Sequence, residues 1–117
     1  MDEPDQPLTA AIFALLLALH AGELHGYALM AEVERITGGT VSLGPATLYR
    51  SLQRMRVDEL VEEIDTLDAG AVRADRRAER RRSYRITERG RLAARIEAAR
   101  LASLLDAANQ ILNERTD

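Results

Sequence analysis

The chain has 117 residues, 46% hydrophobic and 30% charged, with a formal net charge of -3 and no cysteine. That length fits one compact domain with an appended element. Missing cysteines exclude disulfides and cysteine-based zinc sites and suit a reducing cytoplasm, while one Phe and no Trp leave the core to aliphatic side chains.

Residues 1–7, with Pro4 and Pro7, read as a short disordered leader, and the acidic start Met1-Asp2-Glu3-Pro4-Asp5 is unlike a signal peptide. Leu8 to Ala21 predicts a strongly apolar helix, with Thr9 near its start and Gly22 at its end. The apolar run Leu8–Leu19 falls short of the roughly 20 residues a bilayer span needs, so it reads as a buried helix. His25 to Thr37 predicts a second helix, His25 standing at the cap. The helical spacing assigns Tyr27, Met30 and Val33 to the core and turns Glu32 and Glu34 away. Gly38-Gly39 stops this helix.

Val41-Ser42-Leu43 reads as a short extended bridge. Gly44-Pro45 opens a third helix to about Val57, with Pro suited to a first turn. Leu48, Leu52 and Met55 recur at a helical period and must face the core. Thr47, Arg50, Gln53 and Arg54 form the opposite face, with Tyr49 beside them.

Leu60 to Asp65 predicts a short strand, and Gly70 marks a turn in the polar stretch that follows. Arg82 to Thr87 alternates, with Tyr84 and Ile86 on one face, and predicts a second strand closing a hairpin. Thr87 is placed to cap a last helix reaching about Asn113. Leu92, Ile96, Ala99, Leu104, Ala108 and Ile111 give that helix an apolar stripe, widened by Leu101, Leu105 and Leu112.

Three helices, a two-stranded hairpin and a long helix make a mainly α chain with a small β-hairpin (α+β), in the order of a winged helix-turn-helix. The expected organisation is a leader over 1–7, a DNA-binding domain over 8–87 and a dimerisation helix over 88–113. A small core cannot cover the whole apolar stripe. The last helix is therefore expected to pack on a second copy through Leu92, Ile96, Leu101, Leu104, Leu105, Ala108, Ile111 and Leu112.

Four segments resemble the PadR family of transcription regulators. Leu15 to Tyr27 ends in His-Gly-Tyr, Gly44 to Leu52 reads Gly-Pro-Ala-Thr-Leu-Tyr-Arg-Ser-Leu, and Arg81 to Gly90 resembles the family's second wing strand and its turn into the last helix. The short single C-terminal helix is similar to that of the smaller subgroup. One departure stands out: Glu59 precedes Leu60 where the family has Gly, the residue suited to a left-handed turn. The resemblance implies a homodimer that binds DNA, more often a repressor than an activator, with regulation by a small molecule among the family's possibilities. It also implies a phosphate or base contact through the hydroxyl of Tyr49, whose ring could instead pack on the core.

The charge is unevenly spread. Residues 1–34 hold six acids and no Arg, whereas residues 73–95 hold ten Arg against Asp75, Glu79 and Glu88. A phosphate backbone responds to the local patch more than to the total. The third helix could offer Thr47, Arg50, Gln53 and Arg54 to a major groove, since Arg matches guanine and Gln matches adenine with paired hydrogen bonds. The wing, Thr66 to Arg80, carries Arg73, Arg76, Arg77 and Arg80, followed by Arg81 and Arg82. It could follow the backbone or enter a narrow minor groove. A solvated helix face and a solvated loop are the plainer alternatives, as are pairs of Arg82 and Arg85 with Glu62 or Glu63 across the hairpin.

Two rivals remain: a sensor for a small hydrophobic effector at the dimer interface, and a protein-binding adaptor. A catalytic constellation, a metal set (His20 and His25 lack partners) and a phosphate loop are all missing from the sequence, so neither an enzyme nor a cofactor is expected.

Overall fold

The computed structural model describes residues 7–64 and 82–114. Helix α1 (Ala10–Leu19) begins where the Thr9 hydroxyl accepts the N–H of Ile12 at 3.1 Å. A two-residue strand, β1 (Leu24–His25), leads into α2 (Gly26–Thr37), and α3 spans Pro45–Val57. Strands β2 (Val61–Ile64) and β3 (Ser83–Ile86) precede the long helix α4 (Glu88–Glu114). Among the described residues no helix is long and apolar enough to cross a membrane.

The sheet is three-stranded and antiparallel, in the order β1-β3-β2, rather than a two-stranded hairpin. Leu24 pairs with Tyr84 on one edge of β3, and Glu62 with Arg85 on the other. The extra strand is too short to show any alternation in the sequence.

The core is aliphatic. Leu15, Leu16 and Leu19 of α1 meet Leu29 and Val33 of α2 and Leu48, Leu52 and Met55 of α3, all fully buried. Tyr84 and Ile86 close it from β3, and Ala93 and Ala94 from α4. Tyr27, expected in the core, is instead 47% exposed. The buried face of α2 is Gly26, Leu29 and Val33, and Tyr27 stands one residue, about 100°, around the helix from Gly26.

Two left-handed turns bracket α3. Before it, Gly38 and Gly39 both take positive φ, and the Gly39 N–H donates to the Glu34 carbonyl at 2.9 Å. After it, Glu59 adopts φ 64°, the one non-glycine residue with positive φ among those described. The Leu60 N–H donates to the Met55 carbonyl at 2.8 Å and the Glu59 N–H to that of Arg56 at 3.0 Å. This is the paired bonding of a Schellman motif, in which a glycine is the usual occupant. The sequence departure at Glu59 thus changes the residue and keeps the turn.

The start of α4 is fastened to that turn. Thr87 caps the helix by accepting the Gly90 N–H at 3.0 Å, and its hydroxyl donates to the Glu59 carbonyl at 2.6 Å. Arg89 Nε donates to the Asp58 carbonyl at 3.2 Å. The first three turns of α4 then bury Gly90, Ala93, Ala94 and Glu97.

Candidate nucleic-acid interface

The apolar face of α3 is anchored by Leu48, Leu52 and Met55, which turns Thr47, Arg50, Gln53 and Arg54 to solvent. Arg50 makes no hydrogen bond or ion pair among the described residues. Arg54 Nε lies 3.2 Å from Asp58 Oδ2, a pair 73% exposed on the arginine side. Gln53 accepts from Arg56 Nη1 at 2.9 Å, and Arg56 lies 3.4 Å from Glu63. An exposed i,i+4 pair such as Arg54–Asp58 is worth only about 0.3–0.5 kcal/mol, so a stronger anion can displace it. Val57, 66% exposed beyond Arg54, is an apolar contributor to the same face that the charge-led reading passed over.

For Tyr49 the structure follows the core-packing alternative. The ring packs against the core and the hydroxyl oxygen is buried. It sits beneath Gly26, where an added Cβ would meet it at 2.1 Å. That oxygen faces inward, away from the surface shared by Arg50 and Arg54.

On the sheet, the arginines flanking Tyr84 are engaged. Arg85 Nε pairs with Glu62 at 3.0 Å and Arg82 Nε with Glu63 at 3.1 Å. Burial, then the nearby Glu63 carboxylate and Tyr49, push the Tyr84 phenol up to about 12, so it stays protonated. Arg73, Arg76, Arg77, Arg80 and Arg81, like the leader over 1–6, lie outside the described residues.

A surface cleft of about 790 Å³ lies between the end of α3, β2 and the start of α4. Its walls include Arg56, Glu62, Glu63, Glu88 and Arg89.

Residues 15–96 match the model of the transcriptional regulator PadR-like family. The chain belongs to the PadR-like family. That family is one of transcriptional regulators, not of enzymes. Solved structures of similar fold include a transcriptional regulator from Clostridium thermocellum, Cth-833. It is 17% identical with a TM-score of 0.62, over 89% of this chain and 87% of that one. The circadian clock associated protein Pex from Anabaena is 18% identical at a TM-score of 0.55, over 85% of this chain and 81% of that one. Pex from Synechococcus is 19% identical at 0.51, over 86% and 89%. These likenesses establish the PadR-like winged-helix architecture. An uncharacterized 37.1 kDa protein in transposon TN4556 of Streptomyces fradiae is 41% identical over 51 residues, which are 44% of this PadR-like chain and only 14% of that relative.

The C-terminal helix of this PadR-like chain continues one face from inside the domain to outside it. Ala94 and Glu97 are buried, and Leu101, Leu104, Ala108 and Ile111 follow them at alternating three- and four-residue steps. Leu104, Leu105, Ile111 and Leu112 are 58–62% exposed, and Leu101 is 37% exposed. Leu92 and Ile96 stand on a different side, about 100° or more from Leu101 and Ala108. Glu97, a buried acid, was not legible as such in the sequence. It accepts the Leu8 N–H at 3.2 Å and pairs with Arg100, whose Nε lies 3.1 Å away.

Proposed function

We propose that this chain is a sequence-specific DNA-binding regulator of transcription, acting as a homodimer and as a repressor, located with the nucleoid in the cytoplasm. The observation that carries the reading is the third helix of the winged-helix fold. It holds Leu48, Leu52 and Met55 in the core and leaves Thr47, Arg50, Gln53 and Arg54 facing solvent. A helix held that way can enter a major groove, with Arg50 and Arg54 reading guanine and Gln53 reading adenine. Thr47, in the first turn, takes a base or a phosphate. The wing arginines Arg73, Arg76, Arg77, Arg80 and Arg81 are proposed to meet phosphates or the minor groove.

The dimer follows from the exposed part of α4. Leu101, Leu104, Leu105, Ala108, Ile111 and Leu112 would leave water by packing on their counterparts, each large side chain contributing about 1.5–3 kcal/mol when fully buried. Leu92 and Ile96, also proposed for the dimer contact, would have to meet the partner from another side of the helix. The repressor assignment is supported by family resemblance alone.

Binding of the purified chain to duplex DNA from upstream of its own gene should weaken steeply between about 50 and 200 mM salt, because several arginines displace counterions. Salt-indifferent binding, or none, would favour a protein-binding adaptor and overturn the reading.

A further inference from the structure

We propose that Tyr49 is a positioning residue of the helix-turn-helix rather than a contact to DNA: its ring, lodged beneath Gly26, sets how closely the start of α2 approaches the recognition helix α3. The inference rests on the DNA-binding reading above and assigns this residue a different part in it.

The seam is tight from both sides. A Cβ at residue 26 would lie 2.1 Å from the Tyr49 hydroxyl oxygen, 2.9 Å from Cζ and 3.3 Å from Cε1. Gly26 is the first residue of α2 and needs no positive φ. Alanine there would ordinarily be neutral or better, since it restricts the unfolded chain. The glycine is therefore a matter of space, and the occupant of that space is Tyr49.

The third wall is the sheet. Residue 26 directly follows β1, whose Leu24 pairs with Tyr84 of the wing strand β3. Tyr84 is 4% exposed and belongs to the core cluster against which Tyr49 packs. One ring thus lies where α2, α3 and the wing strand converge. Arg50 is its immediate neighbour, and Arg54 lies one turn further along the same helix. A closely packed interior transmits small displacements, so a misfit at residue 26 would turn the arginine face.

Two variants separate positioning from contact. Tyr49→Phe removes only the buried oxygen, and its affinity for the upstream duplex should stay within about twofold of the parent. Gly26→Ala should lower Tm by about 5 °C or more and weaken specific duplex binding by about tenfold, although residue 26 offers no side chain to DNA. In the Tyr49→Phe background the same Gly26→Ala substitution should cost less in both measurements, because the 2.1 Å conflict is gone and only the milder 2.9 Å approach to Cζ remains.

A tenfold loss of affinity in Tyr49→Phe with unchanged Tm overturns the inference and restores a direct contact. Additive effects of the two substitutions on Tm overturn it as well. If Gly26→Ala alone does not fold, recovery of folding in Gly26→Ala/Tyr49→Phe supports the seam, and failure of the double variant counts against it. A parent chain that binds no duplex would overturn the DNA reading, while the Tm comparison still decides the seam.

Discussion

The carbonyl of Leu60 approaches Gly90 so closely that a Cβ there would stand 2.2 Å from its oxygen, with the Ile86 side chain at 2.8 Å. Backbone on one side leaves little room to yield. Gly90→Ala should therefore destabilise the fold by about 1–3 kcal/mol, against the roughly 0.5–1 kcal/mol that removing an interior helical glycine usually gains. Urea unfolding reads the sign directly, and a stabilised variant would refute the close approach.

Glu59→Gly should do the opposite. Glu59 holds a left-handed φ of 64°, a region that carries a cost for residues with a Cβ. The gain should be about 0.5–1 kcal/mol, seen as a higher urea midpoint. A lower midpoint would mean that the Glu59 side chain supplies more than its strain takes away.

Arg50→Ala or Arg54→Ala should weaken specific DNA binding by about 1–3 kcal/mol while leaving thermal unfolding unchanged. Arg54 must first release Asp58, an exposed pair, so its loss should be the smaller of the two. If titrations show both variants binding like the parent, another face of α3 meets the duplex.

Leu104→Glu or Ile111→Glu should dissociate the proposed dimer, because either would place a charge among apolar side chains. Both positions are 58% exposed in a single chain, so the monomer should remain folded. Sedimentation is the measurement; if the parent sediments as a dimer and a variant does so too, α4 is removed from the interface.

Glu97 gives the acid side of the stability curve a specific contributor. The Arg100 guanidinium, helped by the Leu8 N–H, holds its carboxyl below the ordinary 4.5 despite burial. The folded state therefore keeps this group ionised at pH values where the unfolded chain takes up a proton. The stabilisation is complete above about 4.5 and is lost as the pH falls through the folded value. Glu97→Gln should be less stable at pH 7 and should lose less on acidification. Parallel urea midpoints for parent and variant from pH 7 down to about pH 3, where a lowered carboxylate takes up its proton, would show that the pair contributes nothing.

The helices were legible where spacing and end signals agreed. Pro45 in a first turn, Leu48, Leu52 and Met55 at helical period, and Thr87 before Gly90 located α3 and the start of α4 to within a residue. Strand β1 was not, since Leu24–His25 is too short to have a period. Tyr27 misled because its spacing to Met30 and Val33 is helical, yet Gly26 and Leu29 hold the buried side. Glu97 reads as a solvated charge in any window of sequence, and only the fold brings Leu8 to it. The inward hydroxyl of Tyr49 depends on a residue 23 positions earlier, a distance that no local pattern spans. The solvent face of α3 was readable for the converse reason, as everything opposite it is aliphatic.

Helix α4 runs without interruption from its capped start to Glu114, so no hinge separates the helical core domain from the leucine row. Position along this rod then acts as a dial. One residue inserted between Glu97 and Leu101 would swing every later leucine about 100° relative to the arginines of α3. In a twofold assembly, the spacing of two half-sites would thus be written into the phase of a single helix.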